Sequence, residues 1–163
     1  MELHPDKTRL IEFGRYAERD RNQRGEGKPE TIDFLGFTHW CGATRKNGKF
    51  TIRRKPVAKR MRKKLKEIKE TLMKRRHTPV PEQGRWVRSV IRGYFAYFAV
   101  PGTAENLSAF RKHVCRLWLR ALRRRSQRKG PRLTWERFQR LIETRVPKVE
   151  ILHPYPNIRL TVK

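Results

Sequence analysis

Apolar residues recur at intervals of three or four positions through much of the chain, which is the spacing of one face of an α-helix. This pattern predicts a helix over about residues 56–76, with Pro56 as its first residue, and a second helix from about Pro81 to Ala99. The second helix carries aromatic residues around half of its circumference, so we expect more than one partner to bury it. Gly93 within it is expected to permit the close approach of another helix.

Two further helices are predicted in the last third of the chain. Thr103 is a suitable N-cap for the first of them, whose apolar stripe includes Leu107 and Trp118. Thr134 is expected to cap a short fourth helix. Residues 147–163 contain prolines but no apolar period, and they are predicted to form an extended arm.

Strand patterns occur in the first third of the chain. Apolar and polar side chains alternate in Lys49–Arg54, directly after Asn47-Gly48, a dipeptide typical of tight hairpin turns. The pattern predicts a β-hairpin over about residues 32–54. Residues 3–13 are predicted to form a turn and a short strand, and the polar residues 14–30 are predicted to form a loop.

Together these elements predict a mainly α fold. A β-hairpin precedes a basic helical region, and an extended C-terminal arm follows it. We expect three parts along the chain, at residues 1–55, 56–130 and 131–163.

The charge distribution points to a partner. The chain has 42 Lys and Arg against 15 Asp and Glu, for a formal net charge of +27. Residues 1–33 hold seven basic and eight acidic side chains, whereas residues 34–163 hold 35 basic and seven acidic ones. Between Arg111 and Arg132 there are ten basic residues and no carboxylate. This density predicts a polyanionic partner, with nucleic acid as the first candidate and a merely solvated basic face as the alternative.

The predicted nucleic-acid contacts lie on the polar faces of the first and third helices and just beyond the third. They are Lys59, Arg60, Arg62, Lys63, Lys66, Lys69, Lys112, Arg116, Arg120, Arg123, Arg124, Arg125 and Arg128. The aromatic cluster at residues 94–98 has two interpretations. Its helical period favours core packing, and stacking on bases, with Tyr94 or Tyr97 at the edge, is the alternative.

Other chemistry is poorly represented in the sequence. There is no glycine-rich phosphate loop and no G-x-S-x-G motif. His39 and Cys41, like His113 and Cys115, have a His-x-Cys spacing, but no CxxC accompanies either pair, so no metal site is predicted. Two cysteines argue against a disulfide scaffold, and no apolar run is long enough to cross a membrane. The start of the chain lacks a signal-peptide pattern, so we expect a cytoplasmic protein associated with nucleic acid.

Five segments resemble, in order, motifs of group II intron reverse transcriptases. Residues 3–8 resemble an L-x-L-x-x-x-K-T pattern, and residues 34–39 resemble the F-L-G-F segment that closes the palm. Residues 92–98 resemble the R-G-x-x-x-Y-Y/F motif of the maturase-specific thumb, or X domain, and residues 123–136 resemble its R-R-S-Q and T-W pair. Residues 151–156 resemble the end of bacterial members without an endonuclease domain. The motif positions are Lys7, Phe34, Leu35, Gly36, Phe37, Arg92, Gly93 and Tyr97.

The resemblance implies a fold and a function for each part. Residues 1–55 would be the end of a polymerase palm, residues 56–130 the thumb, and residues 131–163 a short helix and a tail resembling a DNA-binding segment. The function implied is that of an RNA-binding maturase, which assists intron splicing and retromobility. Its partner would be group II intron RNA, and further partners would be target DNA, an RNA–DNA duplex or a separate fingers–palm chain.

The family's catalytic Y-A-D-D does not occur in this sequence, so no catalytic residue is assigned. Lys7 matches the family's K-T lysine, which lies near the incoming nucleotide in the complete enzyme. Mg²⁺ serves that complete polymerase, and no cofactor is predicted for this chain, which we expect to be inactive as a polymerase on its own. Two alternatives stay open: one piece of a split reverse transcriptase, active only with a separate fingers–palm chain, and a generic basic RNA-binding protein.

Overall fold

The computed structural model describes residues 10–44, 47–125 and 133–154. The chain divides into two compact units, Met1–Val57 and Ala58–Lys163, and each is described by itself. The boundary expected between residues 130 and 131 lies outside the described residues.

The first unit contains a short helix and an antiparallel sheet whose three strands pair in chain order. Its elements are α1 (Ala17–Gln23), β1 (Ile32–Phe34), β2 (Phe37–Ala43) and β3 (Phe50–Pro56). Leu35 and Gly36 form the turn between β1 and β2, with φ angles of 45° and 81°. Tight hairpin turns need positive φ at both central positions, and glycine adopts that conformation at no steric cost while leucine does not.

Several predictions for this region are wrong in detail. The hairpin is a three-stranded meander, because β1 pairs with β2 ahead of the expected turn. Helix α1 lies within the segment predicted to be a loop, and residues 10–13 form no strand. Pro56 is the last residue of β3 and not the first of a helix, since it pairs with Phe37. Helix α1 buries only Ala17, so it leaves no apolar period in the sequence.

The second unit is built from four helices. They are α2 (Ala58–Lys74), α3 (Val80–Phe98), α4 (Ala104–Arg123) and α5 (Trp135–Arg145). The prediction of four helices here is confirmed, with ends that differ by about two residues from those expected. The described residues are therefore mostly helical, with one small sheet.

The helices of the second unit enclose a single apolar core. Trp118, Phe110 and Phe138 are fully buried in it. Phe110 stacks on Tyr94 with ring centroids 3.6 Å apart, and Trp118 meets Phe138 edge-on at 5.3 Å. Burial raises the pKa of the Tyr94 hydroxyl to about 12. Core packing is thus what the structure shows for Tyr94 and Phe95, whereas Tyr97 is half exposed.

The amide side chain of Gln83 is buried beside this core, with 1% of the residue surface exposed. Its amide nitrogen donates to the carbonyl oxygens of Arg75, Arg76 and Thr78, at 2.8, 3.1 and 3.1 Å. Its amide oxygen accepts the indole N–H of Trp118 at 3.0 Å. Gln83 therefore joins the turn after α2, the first turn of α3 and the C-terminal half of α4.

The helix ends confirm one predicted cap and correct another. The Thr134 hydroxyl accepts the backbone N–H of Arg137, as expected of an N-cap. The Thr103 hydroxyl makes no such cap. It is buried and donates to the carbonyl oxygens of Phe98 and Val100, at 2.7 and 2.8 Å, so it closes the turn between α3 and α4.

The predicted role of Gly93 is also wrong. A Cβ added there would meet no atom within 4 Å, so none of the helices that the structure describes packs against it. The close approach occurs at Gly84, where a Cβ would come within 3.4 Å of both Trp118 and Arg145.

The part of the predicted arm that the structure describes, residues 147–154, has no helix or strand but lies against the second unit. The backbone N–H groups of Leu152 and His153 donate to the carbonyl oxygen of Ala99, at 3.0 and 3.1 Å. Arg111 donates to the carbonyl oxygen of Pro147 at 2.9 Å. Residues 155–163 lie outside the described residues.

We predict that Gln83→Ala lowers the free energy of unfolding by roughly 2–4 kcal/mol, because it removes the partner of the Trp118 N–H and of the carbonyl oxygens of Arg76 and Thr78. Urea denaturation followed by circular dichroism measures this change. Gln139→Ala, at an exposed position of α5, is the matched control and should change stability by less than about 0.5 kcal/mol. An equally small effect of Gln83→Ala would contradict the structural role assigned to this amide.

Candidate nucleic-acid interface

The solvent side of α4 carries a row of basic side chains. Lys112, Arg116 and Arg120 follow one another at intervals of four residues, which is a rise of about 6 Å for each step. All three are exposed, as are Arg123 and Arg124 at the end of the helix. The residues of the row share one side because a helix places positions i and i+4 above each other.

The opposite side of α4 fixes the direction of this row. Leu107, Val114 and Trp118 are completely buried on that side. A rotation of α4 that hid the basic row would expose these residues, so burial of the apolar stripe keeps the cations in solvent. Packing of the opposite side therefore orients the row, and no ligand is needed to hold it in solvent.

The charges of the row are not balanced within the described part of the chain. Glu105 is the one carboxylate of α4, and Lys112, Arg116 and Arg120 make no ion pair or hydrogen bond there. Neighbouring cations at i and i+4 repel each other. An uncompensated row of this kind attracts a polyanion.

In the first unit, by contrast, arginines form ion pairs with nearby carboxylates. Arg24 forms ion pairs with Glu26 and Glu12, and Arg21 lies 3.5 Å from Glu26. Donating hydrogen bonds to Glu26 and Glu12 raises the pKa of Arg24 above its usual range, and accepting a hydrogen bond from Arg24 lowers the pKa of Glu26. Arg21 and Arg24 thus have carboxylate partners, which Lys112, Arg116 and Arg120 lack.

Three arginines near the row each donate a hydrogen bond to a backbone carbonyl oxygen. Arg123 donates to the carbonyl oxygen of Leu133 at 2.9 Å, and Arg125 donates to that of His77 at 3.4 Å. Arg111, which was not among the predicted contacts, is held by Pro147. These guanidinium groups are oriented by the fold and have no carboxylate partner among the described residues. Arg128 lies outside the described residues.

The predicted contacts on α2 are all exposed. They are Lys59, Arg60, Arg62, Lys63, Lys66 and Lys69. Two carboxylates, Glu67 and Glu70, share the solvent side of this helix, and Lys64 lies 3.4 Å from Glu67. Helix α2 packs against α4. The structure thus places both basic helices in one unit, and the α4 face is the one without carboxylates beyond its first turn.

Sequence reasoning left out basic residues that the structure places in solvent. Arg85 and Arg88 are exposed on α3, as is the motif residue Arg92. Their spacing of three and four residues places all three on the side of the helix opposite its apolar face.

The remaining motif positions fall into two groups. Phe34 and Leu35 are 62% and 67% exposed at the β1–β2 turn, whereas Phe37 is buried. On α3, Gly93 is exposed and Tyr97 is 50% exposed. Lys7 lies outside the described residues.

No metal centre appears among the described residues, where no three His, Cys, Asp or Glu side chains form a group that could hold an ion. Cys41 donates to the carbonyl oxygen of Gly14 at 3.6 Å. Cys115 is buried, and this burial raises the pKa of its thiol to about 11, against a smaller opposing effect of Arg111. A thiol with so high a pKa is a poor nucleophile at neutral pH.

Within the described ranges, none of the helices is both long enough and apolar enough to span a membrane. The comparisons with known proteins match no family model, no curated protein and no solved structure.

We predict that Arg116→Glu stabilises the isolated protein by about 1 kcal/mol, because it replaces repulsion from Lys112 and Arg120 by attraction at i±4. Arg140→Glu on α5 is the matched control. Its neighbours Glu136 and Glu143 attract the native arginine, so the same change should lower stability. Urea denaturation at low ionic strength measures both effects. Destabilisation by Arg116→Glu would show that the row is compensated within the protein.

Proposed function

We propose that this chain binds structured RNA through the basic solvent sides of α2 and α4. The observation that carries the proposal is the row Lys112, Arg116 and Arg120, which is exposed and has no carboxylate partner in the described part of the chain. The resemblance to group II intron reverse transcriptases supplies the RNA we expect, a folded intron. The protein would act as a maturase that favours the spliceable fold of that intron.

Contacts between basic side chains and phosphates supply the free energy of binding. Each basic side chain that neutralises a phosphate releases a condensed counterion from the nucleic acid. In the unbound protein, repulsion between the cations of the α4 row lowers the stability of the fold. A bound phosphate backbone relieves this repulsion. Residues 34–163, with 35 basic and seven acidic side chains, supply an attractive field around these contacts.

The chemistry of the contacts favours recognition of RNA shape. Lysine and arginine on a convex helical ridge reach phosphate oxygens, which carry no sequence information. Specificity then depends on how the RNA fold spaces its phosphates, as for other proteins that recognise structured RNA. A protein that binds the spliceable fold better than its competitors shifts the RNA population towards it without any side-chain chemistry.

The test is a titration of a folded intron RNA at several salt concentrations. With six phosphate contacts, the logarithm of the affinity should fall with the logarithm of salt concentration with a slope of about −4 to −5. The triple variant Lys112→Gln, Arg116→Gln, Arg120→Gln should bind more weakly, with a slope shallower by about 2–3.

The matched control removes the same charge from the first unit, with Arg15→Gln, Lys28→Gln and Lys49→Gln, all at exposed positions. It should leave the slope nearly unchanged. An equal loss in both triple variants would show that net charge and not the α4 row governs binding. Equal affinity for an unrelated RNA of the same length would overturn the maturase part of the proposal and leave a generic RNA-binding protein.

A further inference from the structure

Nine exposed or half-buried residues of α3 form three neighbouring arcs along the helix, each about 40–60° wide at 3.6 residues per turn. One arc holds arginines, the next holds small residues, and the third holds aromatic and aliphatic side chains. In that order they are Arg85, Arg88 and Arg92; then Ser89, Gly93 and Ala96; then Trp86, Val90 and Tyr97. We call these nine residues the α3 strip.

The middle arc of the strip contains a glycine that packing does not explain. Gly93 lies within a 19-residue helix, where glycine costs about 1 kcal/mol relative to alanine. A Cβ at this position would meet no atom within 4 Å. At Gly84 of the same helix, by contrast, a Cβ would press on Trp118 and Arg145. Among the residues that the structure describes, nothing covers the helix backbone at Gly93, while Nε2 of His153 lies 2.8 Å from the carbonyl oxygen of Ala96, at the C-terminal end of the same arc.

The aromatic arc offers a ring of fixed orientation. Tyr97 is 50% exposed, and its ring meets Phe98 edge-on with centroids 4.8 Å apart. Phe98 in turn lies 4.5 Å from Tyr94, which is stacked on Phe110 in the core. A ring supported in this way from the core presents exposed aromatic surface with little conformational entropy left to lose.

The arginine arc adds charge of one sign. Arg85, Arg88 and Arg92 are exposed and have no ion pair among the residues the structure describes. From Arg85 to Arg92 the helix rises by about 10 Å. The one carboxylate of α3, Glu82, lies in its first turn before the strip begins.

We propose that the α3 strip binds a single-stranded RNA segment. Phosphates lie along the arginine arc, the chain crosses the small residues at Gly93, and a base stacks on Tyr97. Proteins that bind single strands combine these two features, a basic track and an aromatic surface that accepts any base. The inference rests on the proposed function in that the ligand is RNA, but it concerns a different helix face and an unpaired strand.

The charge of the strip favours RNA over a protein partner. A protein partner of α3 would have to neutralise three arginines on one edge of the strip and cover apolar side chains on the other. An unpaired nucleotide brings both complements together, a phosphate and the face of a base, within one residue of its chain. A base-paired duplex does not, because its bases are already stacked.

The experiment uses the full chain, a labelled decamer of uridine and an RNA duplex. Tyr97→Leu should weaken decamer binding roughly 5- to 150-fold, the effect of losing one base-stacking contact. Tyr97→Phe keeps the ring and should bind within about twofold of the parent chain. Gly93→Gln fills the middle arc and should weaken decamer binding by at least about fivefold, although glutamine is the better helix former and raises the stability of α3.

Thr144→Gln adds the same side chain at an exposed position of α5 and should leave decamer binding unchanged. Duplex binding should be unchanged in all four variants. Decamer affinity that is insensitive to both Tyr97→Leu and Gly93→Gln would overturn the inference and point to a protein on the strip. If that happened while the α4 triple variant still lost RNA binding, the proposed function would stand and only the α3 strip would fail. A parent chain that bound neither RNA would overturn both.

Discussion

The second unit depends on one buried amide. Gln83 accepts the indole N–H of Trp118 and donates to three carbonyl oxygens in the turn after α2. A polar group in this position costs stability unless all its partners are in place, so the network permits one arrangement of α2, α3 and α4 and penalises others. Because α4 is fixed through Trp118, the orientation of its opposite side, with Arg116 and Arg120, follows from the same contact.

The basic surface of α4 follows from which of its residues fill the core. The apolar residues of α4 face the core, and every polar position of the helix from Arg111 onward is Lys, Arg or His. The first unit shows that this chain also contains matched charges, as at Arg24 with Glu12 and Glu26. The unmatched row of α4 is therefore a local property of one helix face, and it stores repulsion that a phosphate backbone relieves.

The sequence predicted the helices of the second unit because each buries one face, and a buried face repeats every three or four residues. It also predicted that α4 would present basic residues opposite Trp118. It did not predict α1, whose interactions are ion pairs without a period, or the turn role of Thr103, whose hydroxyl acts within the turn and not at the helix end. The burial of Gln83 was not predicted for a related reason: a pattern of apolar residues does not indicate which polar residue lies in the core. The arginines of α3 were not among the predicted nucleic-acid contacts, although its aromatic residues occupy only half of the helix circumference.

The central claim is that RNA lies on the basic helices of the second unit. Lysine reactivity towards an acetylating reagent, read by mass spectrometry with and without bound RNA, tests it most directly. The account predicts protection of Lys63, Lys66 and Lys112, with no change at Lys28 and Lys49, which are exposed in the first unit. Uniform protection of all five lysines, or protection confined to the first unit, would contradict it.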